Sequence, residues 1–259
     1  MREQVIASAS RVPYRRHALT ELPRTIQDIA VLRASKRWLQ KSPTGDGHAV
    51  MVIPGFMGSD SYNRPLRKYL QALGYMAVGW NQGTNLGPKP ETVEDMLHRL
   101  EQLHQHSNGP ISIIGHSLGG VYAREIARHY PEMVRQVITL GSPFGKGRDM
   151  PTPSGQLYRL LNPDRVEVED KQHMHLAPPV PTTSIYSKAD GVVSWGLSVQ
   201  LDGHEKTENI EVRGCHCGLT LNSTVWHVLA DRLAQPIKQW QAFERTGHRK
   251  VIFPTPLNV

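Results

Sequence analysis

Cysteine is scarce in this chain. Only Cys215 and Cys217 occur in 259 residues. Two thiols two positions apart cannot close a useful loop, and a bridge between them would be strained, so a disulfide framework is excluded. Free thiols fit a reducing compartment. Cys215-His216-Cys217 has no second C-x-x-C or H-x-x-x-H to complete a ligand set, so no metal is expected. Long apolar runs are also missing. None approaches the roughly 18 residues that span a bilayer. The opening "MREQVIASASRVPYRRH" lacks the apolar stretch of a secretory signal, so the expected location is cytoplasmic. Acidic residues are rare near the N-terminus. Residues 1–41 hold nine Lys/Arg against three Asp/Glu, most of the net charge of +7. Such a basic arm could make weak peripheral contact with an anionic membrane, but the plainer reading is a solvated basic face. No nucleic-acid motif accompanies the charge, so nucleic acid is not an expected partner.

What is present reads as a packed α/β chain. Hydrophobic residues make up 39% and charged residues 20%, enough for one sizeable core. Short apolar, β-branched runs at 49–53, 75–80, 111–114, 137–140, 183–186 and 210–212 read as strands. Amphipathic segments at 22–40, 65–73, 92–105, 118–130 and 225–233 read as helices. Thr92 with Asp95 resembles a capping box, and Pro65 opens its helix. This alternation implies a mainly parallel central sheet with helices on both faces. The expected organisation is a basic N-terminal arm and helix over 1–47 packing on a domain over 48–259. That domain carries a small cap insertion at about 143–181, with short helices around 155–161 and 166–175. Function should sit at the carboxyl edge of the sheet.

The stretch "ISIIGHSLGG", 111–120, runs from a buried strand into a helix with Ser117 at the bend. A tight turn forces that serine into an unfavourable backbone conformation and requires small residues around it, which Gly115 and Gly119 supply. The hydroxyl is then held at a helix N-terminus, where free N–H groups and the dipole suit a developing oxyanion. A serine needs a base and an orienting carboxylate. Among 13 histidines, His216 follows the last strand in the loop "GCHCGL" at the carboxyl edge. His204 precedes that strand, and His98, His104 and His106 belong to the 92–105 helix or its end. His116 is beside Ser117 but is expected to point off the turn, His173 and His175 lie in a polar segment, His227 on the last helix and His248 near the terminus. Asp190, just past the 183–186 strand, is the acid candidate, ahead of Asp170 and Asp202. The backbone N–H groups of Leu118 and Phe56 are the candidate oxyanion donors.

The segments "VIPGFMGS", "GHSLGG", "YSKADGVV" and "GCHCGLTLN" together resemble the α/β-hydrolase superfamily, in its compact bacterial lipase/esterase type, over about 48–235. The order Ser117, Asp190, His216 matches that superfamily's order of nucleophile, acid and base. "GWNQGTNLGPKP" is similar to a segment of uncharacterised bacterial members, where Asn85 and the glycines shape a loop at the edge of the site. Pro54-Gly55 replaces the usual His-Gly before the oxyanion residue, and the antiparallel hairpin that opens many larger members is missing, so a reduced sheet is expected.

The resemblance implies acyl transfer to serine without a cofactor. Apolar Phe56, Met57, Leu118, Phe144, Trp195 and Leu219 are expected near the acyl group, which favours esters of apolar acyl chains. A small cap favours short or medium chains. An acyltransferase or thioesterase using the same three residues, or a non-catalytic homologue binding lipid or a partner, would share these features.

Overall fold

The computed structural model describes residues 2–9, 11–107, 109–146, 158, 160 and 173–257. Six strands form one sheet: β1 (Ala49–Ile53), β2 (Met76–Gly79), β3 (Ile111–His116), β4 (Val134–Leu140), β5 (Thr182–Tyr186) and β6 (Thr207–Glu211). Their spatial order is β2-β1-β3-β4-β5-β6, and every neighbouring pair is parallel. The parallel sheet predicted from the alternation of strands and helices is therefore present. No antiparallel pair occurs among the described residues, in keeping with a reduced sheet.

The central strands read as continuous apolar runs because both of their faces are covered. All of β1 and all of β3 are buried. Val50, Val52, Ile114, Ile138 and Leu140 point to one face, against Leu66 and Leu70 of α5 (Asp60–Ala72) and Val225 and Leu229 of α8 (Ser223–Leu233). Met51, Ile53, Ile113 and Val137 point to the other, against Leu100 and Leu103 of α6 (Pro90–His106) and Ala123 and Ile126 of α7 (Leu118–His129). Strand order reverses between β1 and β3. The crevice at that reversal is where a doubly wound sheet places its ligands. The Ile53↔Gly115 register sets the loop after β1 beside the turn after β3.

Several boundaries differ from the sequence reading, β4 among them, which starts at Val134. The fifth helix starts at Asp60, after an extended Ser59, and Pro65 lies inside it. The sixth starts at Pro90, with Pro at its first turn, so Thr92 is already helical and is not a cap. The last strand begins at Thr207, because the edge sequence "TENIE" is half exposed and carries only one fully buried apolar residue, Ile210. The helix expected over 22–40 breaks at Ser35 into α3 (Glu21–Ala34) and α4 (Lys36–Leu39), preceded by α1 (Arg2–Ala9) and α2 (Arg15–Leu19). In α3 Leu32 packs on the core, but Ile26 is 60% exposed. The helices of the predicted cap fall largely outside the described residues.

Ile114 lies at the centre of the sheet and is fully buried. Ile114→Ala is expected to cost about 2–5 kcal/mol by leaving a cavity that this sheet cannot collapse. Urea unfolding of the two proteins measures it, and a loss well under 1 kcal/mol would show the core to be more plastic than its burial implies.

Candidate active site

Ser117 has φ 50° and ψ −120°, a left-handed backbone that a residue with a Cβ rarely adopts. Holding it there costs about 1–3 kcal/mol, which the surroundings must supply. The Ser117 N–H donates to the Leu140 carbonyl at the end of β4 (2.8 Å). The flanking glycines are required by close approach. A Cβ on Gly115 would fall 2.3 Å from the Gly120 Cα and 2.4 Å from the Gly119 oxygen. A Cβ on Gly119 would fall 2.5 Å from the Ile53 oxygen, so this glycine clears the end of β1 rather than Gly115. The turn thus sets Ser117 at the first turn of α7, whose leading N–H groups, Leu118 among them, have no intrahelical acceptor.

Asp190 and His216 meet. The His216 Nδ1–H donates to Asp190 Oδ2 at 2.6 Å, and both residues are buried. The other oxygen, Oδ1, accepts from the N–H groups of Val192 (2.8 Å) and Val193 (2.7 Å). This bonding fixes the imidazole as the Nδ1–H tautomer and leaves Nε2 as a proton acceptor. Burial alone would lower the His216 pKa. The Asp190 charge and hydrogen bond, with a smaller contribution from Glu21, outweigh it and raise the pKa above the ordinary imidazole value.

The loop that carries His216 has no regular structure, yet the backbone N–H and C=O groups of His216 and Cys217 are all engaged. The His216 N–H donates to Glu21 Oε1 (3.1 Å), and the Cys217 N–H to Glu21 Oε2 (2.9 Å). His116 Nε2–H donates to the His216 carbonyl (3.0 Å), and the Tyr62 hydroxyl donates to the Cys217 carbonyl. Glu21 Oε1 also accepts from the Gly191 N–H (2.8 Å), next to Asp190. One buried carboxylate on α3 therefore ties the Asp190 loop to the His216 loop. Arg24, one turn on, donates to the Ala189 carbonyl (2.7 Å). Burial would raise the Glu21 pKa, but the N–H groups of Cys217, His216 and Gly191 outweigh it and hold the carboxyl below its ordinary value. Burial, with the nearby His216, drives His116 down to about 3, so it acts as a neutral donor.

Glu21, His116 and Tyr62 escape the sequence reading. Glu21 stands alone among basic residues and looks like a solvated charge. Its one signal is that residues 1–41 contain so few carboxylates. The apolar residues expected near the acyl group separate. Met57 is 54% exposed, with φ 62°, and its N–H is taken by the Asn85 carbonyl (2.7 Å), which leaves Phe56 as the neighbouring candidate donor. The Phe56 ring meets Tyr158 edge-on at 5.4 Å. Phe144 is core instead: it is buried beneath the Arg124 guanidinium, 3.8 Å from its ring centre. Leu219 is fully buried in the core shared with α8. Trp195 stacks on Tyr186 at 5.8 Å, in a cluster with Val5 and Val199. Both cysteines are free.

The structure thus holds a serine strained between a parallel strand and a helix, and an acid–imidazole pair on later strand ends of the same sheet edge. The PGAP1-like alpha/beta domain model matches residues 75–193, which include Ser117 and Asp190. The structure is similar to Aspergillus fumigatus lipase B, with a TM-score of 0.59 and 18% identity, over 73% of this chain and 52% of that one. This chain is an α/β-hydrolase-fold protein. It spans about half the length of the fungal lipase. Mouse alpha/beta hydrolase domain-containing protein 10 aligns with a TM-score of 0.51 and 18% identity, over 74% of this chain and 90% of that one. A thioesterase domain from the curacin biosynthetic pathway aligns with a TM-score of 0.50 and 14% identity, over 75% and 93% of the respective chains.

Glu21→Gln is expected to destabilise the protein by about 1–3 kcal/mol at neutral pH, since an amide cannot accept all of these N–H groups. A carboxyl held below its unfolded pKa stabilises the fold above that unfolded value and loses the contribution as pH falls through the folded one. Urea unfolding of both proteins should therefore show a gap that is full at pH 7 and narrows below the ordinary glutamate pKa. A gap independent of pH would show that the charge on Glu21 does not matter.

Proposed function

We propose that this α/β-hydrolase-fold protein is a serine hydrolase that cleaves carboxylic esters of apolar acyl chains. The observation that carries the reading is the buried 2.6 Å bond between His216 and Asp190, together with the strained Ser117 at the N-terminus of α7. In this reading the Ser117 hydroxyl attacks the acyl carbonyl carbon while His216 Nε2 takes its proton. Asp190 holds the tautomer and stabilises the imidazolium. The carbonyl oxygen, now negative, accepts from the backbone N–H groups of Leu118 and Phe56. His216 then returns the proton to the leaving alcohol, and the acyl group remains on Ser117. Water repeats the sequence: His216 takes its proton, the hydroxide adds to the acyl carbon, and the acid leaves as Ser117 regains its hydrogen. No cofactor enters these steps.

The likeness to a fungal lipase supports an oxygen ester as substrate, and the thioesterase-domain likeness keeps a thioester in view. Both proceed through the same acyl-enzyme, so matched oxygen and sulfur esters of one acyl chain separate them by kcat/KM. Acyl transfer would show as ester product when an alcohol is added.

The decisive measurement is hydrolysis of p-nitrophenyl esters across a range of chain lengths. With the fold intact, Ser117→Ala should lower kcat by about 10⁶-fold and Asp190→Asn by about 10⁴-fold. Because the base must be neutral and its pKa is raised, kcat/KM should fall as pH drops, with the acid limb above the ordinary imidazole value. Ser117→Ala retaining wild-type rates would overturn the mechanism. An acid limb below the ordinary value would remove His216 as the base.

A further inference from the structure

Helix α3 turns three charged residues inward: Glu21 and Arg24 bond the Asp190 and His216 loops, and Asp28 accepts from Asn222 Nδ2 (3.0 Å) and from the Cys215 thiol (3.5 Å). Leu32 packs on the core, but other apolar residues of this region face water. Leu19, at the end of α2, is 82% exposed, Leu22 is 71% exposed and Ile26 is 60% exposed. Within α3, Leu22, Ile26, Ala30 and Arg33 follow one another at three- and four-residue spacing, which is a single helical stripe, and all are exposed. Arg15 and Leu19 of α2 and Arg37 of α4, beyond the breaks at Thr20 and Ser35, are exposed as well. The exposed residues of 15–37 are therefore apolar in the middle and cationic at both ends. No exposed carboxylate interrupts them, because the two acidic residues of 11–41, Glu21 and Asp28, are turned inward.

We infer that the outer face of α2–α3 docks on an anionic lipid surface. The alternative occupants are a protein partner and a second copy of this chain. The charge argues against a second copy and for an anionic surface. A second copy would bring Arg15, Arg33 and Arg37 against their own kind. A lipid headgroup layer supplies the negative charge that the face lacks. Long arginine side chains can also keep their guanidinium groups among phosphates while Leu19, Leu22 and Ile26 enter the acyl boundary. No helix among the described residues is long and apolar enough to cross a membrane, so this contact lies in the interface plane. The inner side of the same helix holds the loops of Asp190 and His216. Docking would set the catalytic centre next to a surface rich in acyl esters. The significance of that placement rests on the ester-hydrolase reading; the docking itself does not.

The test is flotation of the full chain with vesicles of phosphatidylcholine alone and of phosphatidylcholine with phosphatidylglycerol. Hydrolysis of a soluble short-chain p-nitrophenyl ester is measured separately, so loss of docking and loss of catalysis are read independently. Wild type should bind the anionic vesicles and release them as ionic strength rises. Leu19→Glu with Ile26→Glu should weaken binding about tenfold or more, since it removes apolar burial and adds repulsion. Arg33→Glu with Arg37→Glu should weaken it comparably. These positions are exposed, so circular dichroism and the soluble-ester rate should stay at wild-type levels. Absence of vesicle binding by a folded wild type overturns the proposal, and so does binding untouched by both double variants. A dimer in gel filtration that Leu19→Glu with Ile26→Glu dissociates would assign the face to a second copy instead.

Discussion

The arrangement depends on one buried carboxylate. Glu21 accepts from the N–H groups of Gly191, His216 and Cys217, which belong to two loops far apart in sequence. A buried charge is costly when it lacks partners and well held when donors surround it. Here the donors are backbone amides whose own burial would otherwise leave them unsatisfied. Both sides of the contact therefore need it. The His216 loop gains a fixed position without belonging to a helix or a strand. His116 and Tyr62 take the two carbonyls that Glu21 cannot. With N–H and C=O groups of His216 and Cys217 all engaged, the imidazole has little freedom except rotation about its own side chain, and Asp190 removes that.

Sheet topology explains why these groups converge. The reversal of strand order between β1 and β3 opens a crevice, and the Ile53↔Gly115 register brings the loop after β1 alongside the Ser117 turn. The strands of Asp190 and His216 come later in the same parallel sheet, so their ends open on the same edge. Parallel strands put every such loop on one side. The strain at Ser117 is sustained by packing on both flanks: Gly115 lies against Gly119–Gly120, and Gly119 lies against the end of β1. A turn loosened on either flank would relax toward ordinary backbone angles and draw the hydroxyl back toward the sheet.

Much of this was legible in the sequence, for identifiable reasons. β1 and the centres of β3 and β4 stand out because strands covered on both faces are largely apolar, whereas Arg135 and Gln136 hid the start of β4. Ser117 stands out because its geometry demands small neighbours at fixed positions. Asp190 and His216 follow from strand ends. Edge position hid the start of β6, since a half-exposed strand can be polar. Pro65 misled because proline suits a first turn, whereas the preceding turn of α5 contains no apolar signal before Leu66. Phe144 and Leu219 misled because apolar residues beside strand ends serve the core as readily as a pocket. Glu21 was illegible for a deeper reason: what makes it matter is contact with backbone amides, and backbone amides carry no sequence signature.

The N-terminal helix shows how one element can satisfy opposed demands. An isolated amphipathic helix would turn its leucines inward and its charges outward. α3 seats Leu32 on the core but also turns Glu21, Arg24 and Asp28 inward, because part of the surface it covers is a set of loop amides and a thiol, which ask for carboxylates. Spending Glu21 and Asp28 on that inner surface strips the outer one of negative charge. The basic excess of residues 1–41 is thus more than a matter of composition. Part of it arises because the fold withdraws the balancing acids from the surface. The same withdrawal leaves the charge around exposed Leu19, Leu22 and Ile26 cationic, from Arg15, Arg33 and Arg37. Fixing the Asp190 and His216 loops and creating a cationic, apolar exterior are consequences of a single choice of which face of α3 turns inward.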